Sequence, residues 1–366
     1  MKERNEYLDI IRGIAVILMV LGHCIQYGNG TEFSQPDVFF NNKAFQIIYS
    51  FHMPLFMLIS GYLFTYTARK YCKIWDFVKN RILRLLLPIA GWQAITYFQY
   101  ALKMEKNDGW IREWLISYFK SLPREYWFLW AVFYCSIAVW IGRYVFRNSI
   151  IYYLFGFLLT FFVPDIIYNL SYYKFMYPFF VGGYLFAENE EAIKAKLAGI
   201  GNGILLISTL AVYGVLFLFW NYDSFIYTSG YTLLGRSDAL RQFGIDCYRT
   251  VIGFVGSMVI ILAVKWIYDF ILCKYGDELI VKGLNYVLSH IGKKSLGIYI
   301  ISGTLVGSLL IDNIEKFSVN YLNNILQMIV ILGISYFITY LISKIPFLSC
   351  ILLGGRADNQ HKARNI

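Results

Sequence analysis

Charge is what this chain has least of. Only 15% of its 366 residues are Asp, Glu, Lys or Arg, against roughly 25% in an ordinary soluble domain, while hydrophobic residues make up 58%. That shortage excludes a soluble globular enzyme. Proline is scarce as well, with 7 residues, so little interrupts long apolar helices. The six cysteines, Cys24, Cys72, Cys135, Cys247, Cys273 and Cys350, are scattered, with no C-x-x-C pair, which excludes a disulfide framework and a paired-cysteine zinc site. With four histidines in all, no third ligand stands at metal-binding distance from His23 and His52, and the expectation is no metal. The chain also lacks a Gly-x-Ser-x-Gly elbow and a phosphate-cradling Walker loop, so neither a serine hydrolase nor a P-loop engine is indicated. Its net charge of +10 lies on no soluble basic stripe, and nucleic-acid binding is not expected.

What is present is a series of apolar stretches long enough to cross a bilayer. Windows of about 19 residues place spans near 8–27, 44–66, 83–102, 126–142, 149–165, 174–187, 200–220, 248–271, 286–311 and 321–343. The fold class expected is therefore all-α, a polytopic membrane protein of about ten transmembrane helices. With the N-terminus inside, most of the Lys and Arg fall at the inner ends of these spans, which follows the positive-inside rule and puts both termini in the cytoplasm. The first span has mixed flanking charges and no small-residue cleavage site after His23, and reads as a retained helix. No linker, repeat or soluble domain interrupts the series. One membrane domain over 1–355 is expected, with 356–366 as a short cytoplasmic tail.

Within the first span, Arg12 and His23 stand eleven residues apart. At about 100° per residue they share one helix face, about 16 Å apart along the axis. An ionisable group at that depth costs on the order of 2–3 kcal/mol or more, and such groups usually face a polar interior. The alternative is a snorkelling Arg and a packing His. Asp9, one turn before Arg12, either pairs with it or caps the helix. His52 lies in the second span beside Pro54, whose missing donor suggests a local distortion lining a cavity; a structural hydrogen bond is the role expected of it. After that span come Arg69, Lys70, Lys73, Lys79, Arg81 and Arg84. Arg81 and Arg84, i and i+3, are spaced to grip a phosphate with fork-shaped contacts, although inner loops are basic in any case and anionic lipid heads compete for the same charges. His290, beside Lys293 and Lys294, is a weaker candidate for a second phosphate contact. Two longer outer loops stand out. Trp110, Trp114, Leu115, Tyr118 and Phe119 outline an amphipathic interfacial helix. The stretch 221–247, with Tyr222, Asp223, Tyr227, Tyr231, Arg236, Asp238, Arg241 and Asp246, has the residue types that bind sugar hydroxyls.

Several segments match one family in order. Leu8-Asp9-x-x-Arg12-Gly13-Ile14-Ala15 with Leu21-Gly22-His23, and Phe51-His52-Met53-Pro54-Leu55-Phe56, resemble the opening of the acyltransferase 3 family of membrane acyltransferases. Arg81-Ile82-Leu83-Arg84 through Pro88, Trp127-Phe128-Leu129-Trp130, Tyr177-Pro178-Phe179-Phe180 and Ile291-Gly292-Lys293-Lys294-Ser295-Leu296-Gly297-Ile298-Tyr299 continue the likeness, which is similar to the fucose 4-O-acetylase-like members. The resemblance implies a ten-helix bacterial plasma-membrane enzyme that moves an acyl group, usually acetyl, from cytoplasmic acyl-CoA to a hydroxyl of a glycan or lipid-linked saccharide. Acetyl-CoA is then a donor substrate, with no resident cofactor. The family's Arg-x10-His pair falls on Arg12 and His23, and its Arg-x-x-Arg on Arg81 and Arg84. Catalysis is thereby expected at His23 and Arg12, acyl-CoA binding at Arg81, Arg84 and Arg69, and support from Asp9 and His52. His23 acts either as general base or as transient acyl carrier. Ile300-Ile301-Ser302 departs from relatives that carry a His after Gly-Ile-Tyr. The rival reading is a transporter or flippase for a glycan precursor that uses the same polar channel. Composition leaves the oligomeric state open.

Overall fold

A computed structural model describes residues 6–27, 39–103, 109–165, 169–275, 279–310 and 321–355. The tail expected at 356–366 lies outside them. The described residues form α-helices joined by short turns, with no strand among them. In chain order these are α1 (Glu6–Tyr27), α2 (Lys43–Lys70), α3 (Ile74–Arg81), α4 (Leu87–Lys103), α5 (Trp110–Ser121), α6 (Trp127–Tyr144), α7 (Ile150–Phe162), α8 (Leu170–Glu188), α9 (Glu190–Leu197), α10 (Asn202–Phe217), α11 (Ile226–Ser229), α12 (Ala239–Tyr275), α13 (Leu279–Lys293), α14 (Ser295–Leu310), α15 (Tyr321–Lys344) and α16 (Pro346–Leu353).

Every expected span contains a helix. Five of these, α1, α2, α6, α12 up to Phe270, and α15, are long and apolar enough to cross a membrane individually, and α9 with α10 forms an apolar pair bent by 97°, the shape of a broken span or a re-entrant loop. The expected ninth span is not one uninterrupted helix but α13 and α14, separated at Lys294. Large apolar side chains face outward along α7, α10 and α15, including Ile151, Leu154, Ile204, Ile207, Ile329 and Phe337. Exposed apolar surface on that scale has its natural partner in lipid, because helices satisfy their backbone groups internally and can turn their side chains to hydrocarbon. The chain is an all-α polytopic membrane protein.

Glycines set the two closest helix crossings. A Cβ on Gly13 of α1 would strike the Leu288 carbonyl of α13, and one on Gly292 of α13 would strike the Asp9 carbonyl of α1. Gly61 of α2 and Gly183 of α8 meet the Phe180 and Leu58 carbonyls in the same reciprocal way. Small residues let membrane helices touch backbone to backbone, which maximises dispersion where no hydrophobic effect drives association. The first crossing brings Arg12 against the start of α14. The second seats α2, with both Met53 and His52, in the middle of the bundle.

Between α3 and α4 the helix widens into a π turn over Ile82–Leu86, closed by the Leu87 N–H bonding to the Ile82 carbonyl. Pro88 supplies a cause. It has no N–H to give the Arg84 carbonyl four residues back, so the ordinary ladder cannot run through this point. The freed carbonyl packs against Gly354, which holds a left-handed φ of 60° and has no Cβ to collide with it.

The amphipathic helix expected after residue 103 is α5. Its stripe divides in two: Trp114 and Tyr118 turn inward, donating to the Tyr97 and Ala90 carbonyls of α4 at 2.7 and 3.0 Å, while Leu115 and Phe119 are exposed. A helix pinned along one edge and apolar on the other fits an interfacial anchor.

Candidate active site

Three arginines from separate segments line one cavity of about 240 Å³: Arg12 on α1, Arg81 at the end of α3, and Arg84 in the π turn. No Asp or Glu lines it. Three fixed cations on one wall without a lining acid make a strong attractor for a polyanion such as a phosphate or pyrophosphate.

Each arginine is held differently. Arg12 Nη2 donates to Ser295 Oγ at 2.7 Å, and its Nη1 lies 3.9 Å from the Asp9 carboxylate. Asp9 is buried, so it orients Arg12 from behind the cavity. Arg81 is also buried, its guanidinium stacked at 4.7 Å on Phe64 and 5.7 Å on Phe77. Its Nε is buried without a hydrogen-bond partner. A buried, unpaired charged donor is costly unless something completes it, at about 1–3 kcal/mol or more. The i, i+3 geometry expected for Arg81 and Arg84 is replaced by the wider π turn, and both still reach the same wall.

Away from the arginines the cavity becomes apolar, lined by Met19, Met53, Phe56, Phe128, Leu129 and Val132. Met53 also lines a second chamber of about 20 Å³, together with His52, Tyr49, Trp127, Tyr227 and Arg249. The His52 Nδ1 lies 2.9 Å from the Ile48 carbonyl. A carbonyl only accepts, so Nδ1 carries the proton and Nε2 is the basic nitrogen.

His23 lies one turn beyond Met19 on α1 but lines neither space. Its ring stacks on Tyr27, with centroids 6.1 Å apart, and its Nδ1 is buried without a hydrogen-bond partner. The open path expected from the arginines to His23 is therefore interrupted in this conformation. Met19, one turn before His23 on α1, and Met53, next to His52 on α2, both line the cavity. Both are unbranched thioethers, the side chains best able to move aside.

A family profile described as an acyltransferase domain matches residues 5–344. The chain belongs to the acyltransferase 3 family. It is 30% identical over 236 residues to the nodulation protein NolL of Sinorhizobium fredii, covering 62% of this chain and 60% of that one. It is 26% identical over 248 residues to NolL of Mesorhizobium japonicum, covering 66% and 63%. The matched region thus spans about 60% of each relative's length. No solved structure matches.

In this family member the remaining sequence candidates separate from the cavity. Arg69 is not on its wall; its guanidinium is half exposed and bound at 3.0 Å to Glu188, which also takes Arg143 at 2.8 Å. His290 packs on Tyr286, with centroids 3.9 Å apart, and Lys294 donates to Ser343 Oγ at 2.6 Å, so neither joins the arginines. Among the described residues no group of three His, Cys, Asp or Glu side chains is placed to hold a metal.

The sugar platform expected in 221–247 takes a different form. Tyr231 and Asp246 are fully buried. Arg241 pairs with Asp223, and Arg236 grips Asp238 at 2.8 and 3.0 Å, holding that carboxyl below its ordinary range. Arg249, buried on α12, donates to the Gly230 carbonyl at 2.8 Å and to Ser229 Oγ. A buried guanidinium has to place its donors somewhere, and here the loop's Gly230 carbonyl and Ser229 hydroxyl accept from its two terminal nitrogens while Nε is left without a partner. The segment Ser224–Tyr227 is thereby folded over the His52 chamber as its outer wall.

Sequence reasoning left Ser295, Tyr299, Met19, Met53, Tyr49 and Gln26 without roles. Tyr49 donates to Gln26 Oε1 at 3.0 Å and lies 4.6 Å from the His52 ring. For Ser295 and Tyr299 a signal existed in the Gly-Lys-Lys-Ser-Leu-Gly-Ile-Tyr segment. Met53 stood in the Phe51-His52-Met53-Pro54 segment, whereas Met19 gave no signal, since apolar residues in a span look alike.

Proposed function

We propose that this protein is a bacterial plasma-membrane O-acyltransferase that carries an acetyl group from cytoplasmic acetyl-CoA to a hydroxyl of a glycan or lipid-linked saccharide. The observation that carries this reading is the convergence of Arg12, Arg81 and Arg84 on one cavity that shares Met53 with the chamber holding His52. The arginine end then faces the cytoplasm, in line with the positive-inside rule, and takes the phosphates of CoA. Stacking and burial leave Arg81 with a planar donor edge to offer, the geometry suited to forked phosphate contacts. The pantetheine arm fits the apolar length of the cavity, which brings the thioester to Met19 and Met53. His23, as general base, removes the acceptor hydroxyl's proton as its oxygen attacks the thioester carbon; the C–S bond breaks and the thiolate takes up the proton.

The test is direct. Full-length protein in lipid vesicles, supplied with acetyl-CoA labelled in the acetyl group and a bacterial glycolipid extract, should move label into the glycolipid fraction. A transporter or flippase would leave all label on CoA, and that result would overturn the reading.

A further inference from the structure

The donor cavity and the histidine chamber differ twelvefold in room, about 240 Å³ against about 20 Å³. Met53 is a wall of both. His52 directly precedes it in sequence and lines the smaller chamber, so Met53 and His52 mark the line where the larger space ends. Given the donor route above, on which this inference rests, the thioester carbon stops at that line and the acyl tail points on into the smaller chamber. That chamber has room for about one water-sized group. Beside Met53, Arg249 and two serines, its walls carry four stiff rings, Trp127, Phe175, Trp220 and Phe225, which have few rotamers and bury large faces. Phe225 is 2% exposed and packs edge-on against Trp220 at 5.1 Å.

We propose that Met19, Met53 and the aromatic chamber behind Met53 form an acyl-length filter that admits acetyl and rejects longer chains. An acetyl group puts one methyl beyond the carbonyl, whereas a butyryl group adds two methylenes that would have to displace packed rings. Hydrophobic pockets discriminate by roughly 10- to 200-fold per methylene, so the wild-type protein should favour acetyl over butyryl by roughly 100-fold or more.

The test uses the full chain in vesicles, with acetyl-CoA and butyryl-CoA at equal concentration, a bacterial glycolipid extract as acceptor, and both products weighed in one sample by mass spectrometry. Because both products come from the same sample, their ratio does not depend on how much protein folded. Met53→Ala, which opens the partition, should lower the acetyl preference by about 10-fold or more, and Met19→Ala should lower it in the same direction, so that either variant alone decides the matter if the other fails to fold. An acetyl preference unchanged in whichever of these variants transfers acetyl would overturn the filter and assign the chamber to the acceptor hydroxyl. A wild type that uses both donors equally would overturn it too. If the wild type transfers neither group, the acyltransferase reading falls instead, and the filter with it.

Discussion

At Arg81 a guanidinium is buried with its Nε unpaired and two aromatic rings against its face. Such a residue is worth keeping only where an anion completes it. Arg81→Lys retains the charge but loses the planar fork and the stacking, and should raise the KM for acetyl-CoA by roughly 10- to 100-fold, the scale of one or two charge-assisted bonds, with a smaller change in kcat. Steady-state kinetics in vesicles checks this. His52 offers a sharper separation of roles. Asn at this position can place its amide N–H where Nδ1 now meets the Ile48 carbonyl, but it has no basic nitrogen. If His52 only supports the structure, His52→Asn should retain activity within several-fold while His52→Ala lowers thermal stability by about 1 kcal/mol or more. Scanning melts and transfer rates of the two variants measure both effects.

Among elements, α1 with α13 and the π turn before α4 do most to position the site. Gly292 has no space for a Cβ against the Asp9 carbonyl, so Gly292→Ala must separate α1 from α13 and move Arg12 away from Ser295. A destabilisation of about 1–3 kcal/mol is expected, seen as a lowered melting temperature in detergent, together with weaker donor use. Pro88→Ala returns an N–H to the Arg84 carbonyl and favours an ordinary α turn over Ile82–Leu86. The side chain of Arg84 then rotates off the cavity wall. The expected result is a raised KM for acetyl-CoA with melting behaviour close to the wild type. Helix existence was legible from hydropathy because a continuous apolar run of about 20 residues satisfies its backbone groups in lipid as a helix. The π turn was not: Pro88 was visible, but whether a missing donor yields a kink, a π turn or a helix end depends on what packs against the freed carbonyl, here Gly354.

For the whole molecule, the bundle assembles the arginine cavity from α1, α2, α3, the π turn, α6, α14 and α16, elements far apart in sequence. The individual cations could be picked out because an ionisable residue in an apolar stretch is conspicuous. Their partition was less visible. Arg69 looks like its neighbours in sequence but is taken up by Glu188, a partner more than a hundred residues away that no spacing rule could supply. In the outer segment 221–247 several charged residues pair with one another or receive the buried Arg249, pairings that composition alone does not reveal. The outward apolar faces of α7, α10 and α15 place the chain in lipid, and the central claim is that within this frame a cation-lined cavity feeds a histidine centre. The measurement that tests it most directly is acetyl transfer by His23→Ala in vesicles, alongside binding of labelled acetyl-CoA to the same protein. The account predicts transfer reduced to background while the protein remains inserted and still binds acetyl-CoA. Turnover at the wild-type rate in His23→Ala would contradict it.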